Sequence, residues 1–193
     1  MWQIGGGSSI RLVEVRDERP GDVNAVRDVH LEAFGDRGRV VGALVDDLRV
    51  AVTAGDGLSL VAECDGRVVG HVMFTVSLLD APSRLVAVQV LSPLGVARSH
   101  RRRGLGAALV SRGLAVMADR GVPAVFLEGS PVYYPRFGFT PAGPLGFRKP
   151  SLRIPDAAFQ TVTLPAYEPW MTGTLVYADT FWRHDAVGIR DPG

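Results

Sequence analysis

Apolar residues recur at helical spacing early in the chain. Val23, Val26, His30, Ala33 and Phe34 share one face and follow Pro20-Gly21-Asp22, residues suited to starting a helix. Val41, Leu44, Val45, Leu48 and Val52 repeat the pattern while Asp46, Asp47 and Arg49 point elsewhere, which predicts a second helix. A short strand is expected ahead of both, near residues 12–15. The pattern then changes. Residues 58–64 and 67–77 read as strands flanking Asp65-Gly66, whose tolerance of positive φ suits a two-residue hairpin turn. Residues 85–96 form a third strand of this region, and Pro93 within it cannot donate to a ladder, so a bulge or a local loss of pairing is expected there. Leu105, Leu109, Gly113, Val116 and Met117 line one face of a helix that Gly121 and Pro123 end, and residues 124–128 form the next strand, completing a βαβ unit. Further on, a short helix is expected from Pro131 and strands near 160–164 and 173–177. Together these elements predict an α/β (α+β) protein with a mixed sheet flanked by helices.

With 193 residues, 47% of them hydrophobic and 21% charged, the chain is long enough to bury a sizeable core. Met1 to Ile10 show no basic start followed by a long apolar stretch, so no signal peptide is expected; the Gly5-Gly6-Gly7-Ser8-Ser9 run makes residues 1–9 read as a flexible lead-in and residues 10–193 as a single domain. Residues 141–193 are a C-terminal extension of that domain, whose Trp170, Phe181 and Trp182 either close the core or form an interface. The longest apolar stretch, 85–97, is interrupted by Gln89, Ser92 and Pro93 and falls short of a membrane span, so a cytoplasmic location is expected. Lys and Arg number 21 against 20 Asp and Glu, a balance that gives no general attraction to nucleic acid or anionic membranes. Cys64 is the single cysteine, read as a small buried residue, and no metal-ligand spacing occurs. His30, His71 and His184 are scattered, which gives little support to a metal site or a catalytic triad.

Candidate chemistry concentrates in residues 94–107, where an apolar strand passes through Arg98-Ser99-His100-Arg101-Arg102-Arg103 and Gly104-Leu105-Gly106-Ala107 into a helix. An isolated basic run is ordinarily a solvated turn. Here it is coupled to glycines at a helix start, where unpaired N–H groups and the positive end of the helix dipole suit a pyrophosphate. A Walker loop would need Lys-Ser/Thr after the last glycine, and Ala107-Ala108 stands there instead. The dinucleotide fingerprint GxGxxG fails at Leu109 and would run almost directly from strand to glycine, whereas the 7 residues 97–103 intervene.

Arg101-x-x-Gly104-x-Gly106 resembles the Q/R-x-x-G-x-G/A signature of the GNAT superfamily, the acyl-CoA-dependent N-acyltransferases, and Leu94-x-Val96 precedes it as on that family's fourth strand. Tyr134-Pro135-Arg136-Phe137-Gly138-Phe139 is similar to the family's Y-x-x-x-G-F segment, and Gly129-Ser130-Pro131-Val132-Tyr133-Tyr134 looks like a bacterial subgroup of predicted acetyltransferases. The resemblance covers about residues 10–145 and implies a centrally splayed sheet. It further implies that backbone N–H groups of Arg101, Arg102, Arg103, Gly104, Leu105, Gly106 and Ala107 bind the pyrophosphate of acetyl-CoA, with charge added by Arg98, Arg102 or Arg103. The pantetheine arm would pair with Leu94 and Val96 beside Pro93. Tyr134 takes the general-acid position, while Glu128, at the end of its strand, is the candidate general base, with His71, Asp80 or a water chain as alternatives. Glu128 could equally be a salt-bridged strand end, and Tyr133 reads as core filling. No metal is implied. The acceptor stays open between a small-molecule amine and a protein amine, and the assembly between monomer and homodimer. Two other readings remain: a CoA-binding sensor or scaffold without turnover, and, behind it, RNA binding through Arg101 to Arg103.

Overall fold

The structure, a computed structural model, describes residues 2–4, 11–53 and 55–189. Along the chain run β1 (Trp2–Ile4), β2 (Arg11–Asp17), α1 (Val23–Phe34), α2 (Gly38–Thr53), β3 (Leu58–Cys64), β4 (Arg67–Asp80), β5 (Leu85–Val96) and α3 (Leu105–Asp119). There follow β6 (Ala124–Glu128), β7 (Thr140–Pro141), β8 (Phe147–Arg148), β9 (Phe159–Thr163), β10 (Gly173–Val176) and α4 (Asp179–Arg183). The mixed α/β class, both early helices, the hairpin and the strand–helix–strand order match the reading of the sequence. The chain divides into two compact units, Met1–Phe74 with Pro93–Gly113 and Thr75–Ser92 with Leu114–Gly193, so β4, β5 and α3 contribute residues to both. No helix among the described residues is long and apolar enough to cross a membrane.

In the first unit β2 lies antiparallel between β1 and β3, and β3 pairs with β4 through Asp65 (φ 50°) and Gly66 (φ 78°). Positive φ at both central residues gives the turn a twist that matches its strands. Facing residues share a side of the sheet, so the register sorts the pair into two faces. Leu58, Leu60 and Ala62 with Phe74, Val72 and Gly70 make one; Ser59 and Val61 with Met73 and His71 make the other. Both are buried, which is why the strand reads as nearly continuous apolar sequence. Leu109 of α3 packs over Gly70 and Ala62, where a Cβ on Gly70 would meet its Cδ1 at 3.1 Å. One turn further on, a Cβ on Gly113 would lie 2.2 Å from Cε2 of the buried Phe74. Gly113→Ala is therefore expected to destabilise the protein by about 1–3 kcal/mol, the usual cost of overpacking. A thermal melt measures this, and an unchanged midpoint would mean that Phe74 has room to move.

In the second unit β5 runs parallel to β6, β6 antiparallel to β9 and β9 antiparallel to β7. The end of β4 takes β10 antiparallel, and β10 takes β8 in parallel. Phe126 on β6 anchors this core, edge-on to Phe147 at 5.0 Å between centroids and stacked on Phe159 at 5.9 Å. Full burial of such a side chain is worth about 1.5–3 kcal/mol. The C-terminal extension thus closes a core, with Phe181 also buried, whereas Trp182 is exposed.

Two expectations differ from what is observed. Trp2–Ile4, expected within a flexible lead-in, pair as an edge strand with β2, while the Gly5 to Ser9 run lies outside the described residues. The helix expected from Pro131 is a turn leading into a 3-10 helix, Tyr134–Phe137, ended by Gly138 at φ 87°.

Candidate functional site

Residues 94–107 form one segment of the first unit. After β5, residues 98–100 make a single 3-10 turn, Arg102 takes φ 59° and Gly104 φ 81°, and α3 begins at Leu105. The first bond into the helix is Ala108 N–H to Gly104 C=O, 2.9 Å, so the N–H groups of Leu105, Gly106 and Ala107 form the opening turn that helix geometry leaves without intrahelical acceptors. Left-handed residues beside such a turn gather N–H groups into an anion-binding concavity.

The loop is braced from α1. The Glu32 carboxylate accepts hydrogen bonds from the Arg98 and Ser99 N–H groups, and Arg98 Nε donates to Glu32 C=O at 3.0 Å. Arg101 donates through Nε to Val96 C=O at 3.2 Å and through Nη2 to Ala33 C=O at 2.8 Å. All four arginines are exposed; the guanidinium groups of Arg98 and Arg101 are engaged in holding the loop, and Arg102 and Arg103 stand beside them.

Glu128 and Tyr134 belong to the second unit. Glu128 ends β6 with its carboxylate largely buried: Oε2 accepts the Gly188 N–H at 2.9 Å, the Tyr177 hydroxyl also bonds to the group, and Oε1 is buried without a partner. Burial raises its pKa above the ordinary carboxylate value, opposed by the Gly188 and Tyr177 bonds and the charge of Arg153. The next residue, Gly129, seats Tyr134: a Cβ there would lie 2.3 Å from the ring Cε2. The same ring is edge-on to Tyr133 at 5.0 Å and Phe139 at 5.7 Å. Burial, then the neighbouring Tyr133, raise the Tyr134 pKa, so its phenol stays protonated at neutral pH. Tyr133 is only half buried, with the Arg136 guanidinium over its ring at 4.6 Å.

Two of the three scattered histidines prove to be partners. His30 Nε2 lies 2.8 Å from His71 Nδ1, His71 Nε2 lies 2.8 Å from Ser59 Oγ, and Ser59 Oγ donates to Glu18 Oε2. Arg49 donates to Glu18 Oε1 through Nε at 3.0 Å and Nη2 at 2.8 Å. Burial opposes ionisation of Glu18, but the nearby His71, with Nε2 3.6 Å from Oε2, and the bonds from Ser59 and Arg49 prevail and hold its pKa at about 2. The only sequence signal of this chain was the place of His30 on the apolar face of its helix. Its partners come from the strand register and from the seating of α1.

A family model described as an acetyltransferase (GNAT) domain matches residues 14–142. The uncharacterized N-acetyltransferase YjhQ of Escherichia coli (strain K12) is 32% identical over 164 residues, 82% of this chain and 88% of the relative. Among solved structures, the GNAT family N-acetyltransferase YhbS from Escherichia coli, in complex with CoA, is similar with a TM-score of 0.78 and 29% identity, over 93% of this chain and 97% of that one. A GNAT family acetyltransferase from Brucella melitensis, in complex with acetyl-CoA, has a TM-score of 0.69 and 30% identity, over 88% and 98%.

Proposed function

The chain belongs to the GNAT acetyltransferase family, and from that premise we propose that it moves an acetyl group from acetyl-CoA to an amine. The observation that carries this reading is the braced loop of residues 97–107, whose two left-handed residues lead into the open first turn of α3. The Arg101 N–H, expected from the sequence to join the site, instead closes the 3-10 turn on Arg98 C=O at 3.3 Å, so on this reading the N–H groups from Arg102 to Ala107 hold the pyrophosphate, and Arg102 and Arg103 lend charge. The pantetheine arm pairs with the main chain at Leu94 and Val96, and an N–H of that strand polarises the thioester carbonyl. On this reading the protein acts in the cytoplasm.

The chemistry assigns two further roles. The amine nitrogen forms a bond to the carbonyl carbon and the C–S bond breaks, so one proton must leave nitrogen and sulfur must gain one. Glu128 takes the first at Oε1, the carboxylate oxygen without a partner. Tyr134, protonated at neutral pH, gives its phenol proton to the departing sulfur and regains one from solvent. Tyr177 lowers the Glu128 pKa by donating to the ionised form. Tyr177→Phe removes that bond, so the Glu128 pKa should rise, and the acid limb of the kcat/KM profile should move to higher pH. An unmoved limb would take Glu128 out of the base role.

Thiol release from acetyl-CoA, assayed against a panel of amines, amino acids and peptides, tests the reading, with calorimetry of acetyl-CoA binding beside it. Binding with turnover of an amine is expected. Binding with silence across the panel would favour a CoA sensor, and no binding would end both readings.

A further inference from the structure

The second unit holds an open cavity of about 760 Å³, lined by residues of both the β7–β9 and the β8–β10 ladders and within the range of roughly 300–1,000 Å³ usual for small-molecule sites. Its walls are mostly apolar. Pro141, Pro144, Leu152 and Ala157 line it, and the buried Phe147 and Phe159, both packed against Phe126, back it. The two prolines fix their own φ, which makes the wall stiff. Leu152 is 93% exposed. A lone exposed leucine is ordinary, but one that also lines a cavity offers its side chain to whatever enters.

The charged groups of the lining are two cations and one carboxylate, and they are not equally satisfied. Lys149 Nζ donates to Ile154 C=O at 2.7 Å and to Asp156 Oδ1 at 2.5 Å, so its charge is answered within the protein. The charge of Arg148 is not. The parallel register of β8 and β10 sets Arg148 opposite Thr174, whose Oγ1 accepts from Nε at 2.9 Å. Thr174 is neutral, and Arg148 makes no ion pair among the described residues. The bond at Nε steadies the guanidinium and leaves Nη1 and Nη2 as a pair of donors whose spacing matches the two oxygens of a carboxylate. A cation without a counter-charge beside apolar walls defines its complement, an anionic head on an apolar body. We propose that this cavity binds a small carboxylate with a compact apolar body, its oxygens end-on at Nη1 and Nη2 of Arg148 and its body against Pro144, Leu152 and Ala157. The site shares no residue with the loop of 97–107, Glu128 or Tyr134, so the proposal stands apart from the acyl-transfer reading.

Titration calorimetry of the full chain with 3-phenylpropionate tests this, with 3-phenylpropanol and acetate as comparators that keep only the body or only the charge. The guanidinium is exposed and partly screened by solvent, so the acid should bind roughly fivefold more tightly than the alcohol, and acetate should show no measurable binding. Two substitutions locate the ligand. Arg148→Gln should remove the preference for the acid and leave the affinity for the alcohol unchanged. Leu152 contributes little to folding because it is exposed, so Leu152→Asp should weaken both ligands while the melting temperature stays that of the wild type. Equal affinity for acid and alcohol, acetate binding as well as the acid, or no binding at all by the wild type would overturn the proposal. A preference for the acid that survives Arg148→Gln, or undiminished binding to Leu152→Asp, would overturn it too, since the ligand would then sit elsewhere.

Discussion

Gly104→Glu is expected to abolish acetyl-CoA binding while leaving the protein folded. Gly104 has φ 81°, and its carbonyl accepts the first hydrogen bond of α3. A glutamate there meets two difficulties of different size. The left-handed conformation costs a non-glycine residue about 1–2 kcal/mol, which lowers the melting temperature without unfolding a chain of this length. The carboxylate matters more for the ligand. Placed about 5 Å from a pyrophosphate charge at an effective dielectric near 20, it repels by about 3 kcal/mol, roughly two hundredfold in affinity. Calorimetry with acetyl-CoA reads that loss. Gly104→Asn supplies the control, since asparagine accepts the left-handed region and carries no charge, so it should bind within a few-fold of the wild type. If Asn and Glu weaken binding equally, backbone conformation alone is the cause. If neither does, the pyrophosphate does not sit at the start of α3.

The difference between local and distant information explains which parts of this site could be read from the sequence. The strand–loop–helix of residues 94–107 was legible because glycine placement and a helix start are decided by neighbours in the chain, and Gly104 takes the positive φ that its position in the motif requires. The use of Arg101 was not legible. Its guanidinium binds Ala33 C=O, 68 residues away, and becomes a brace only once α1 has docked beside the loop. Glu128 shows the same limit. Its strand was evident from residues 124–128, but its partners Tyr177 and Gly188 come from the C-terminal extension, where short strands and turns carry little periodicity. His30 lies between these cases. Helical spacing gave its buried face, yet the bond to His71 depends on which face of β4 lies beneath α1, and a one-residue change of register would turn His71 away.

Tyr134→Phe should leave acetyl-CoA binding intact and slow turnover roughly a hundredfold or more, the range typical of losing a positioned acid. The substitution is sterically mild. Gly129 makes room for the ring, and Tyr133 and Phe139 hold its edges; phenylalanine keeps all three contacts and removes only the hydroxyl. The stability of the variant should therefore stay close to that of the wild type, which separates a chemical effect from a folding one. Gly129→Ala works in the opposite sense, keeping the hydroxyl but pushing the ring from its seat, and should also lower kcat. A role confined to proton donation predicts that Tyr134→Phe acts on kcat and kcat/KM alike, because the interaction forms only as charge gathers on sulfur. Should Tyr134→Phe instead raise KM for the amine with kcat unchanged, the phenol would be a binding group for the acceptor. Undiminished turnover in the Phe variant would leave the leaving thiolate to solvent and assign Tyr134 to packing alone.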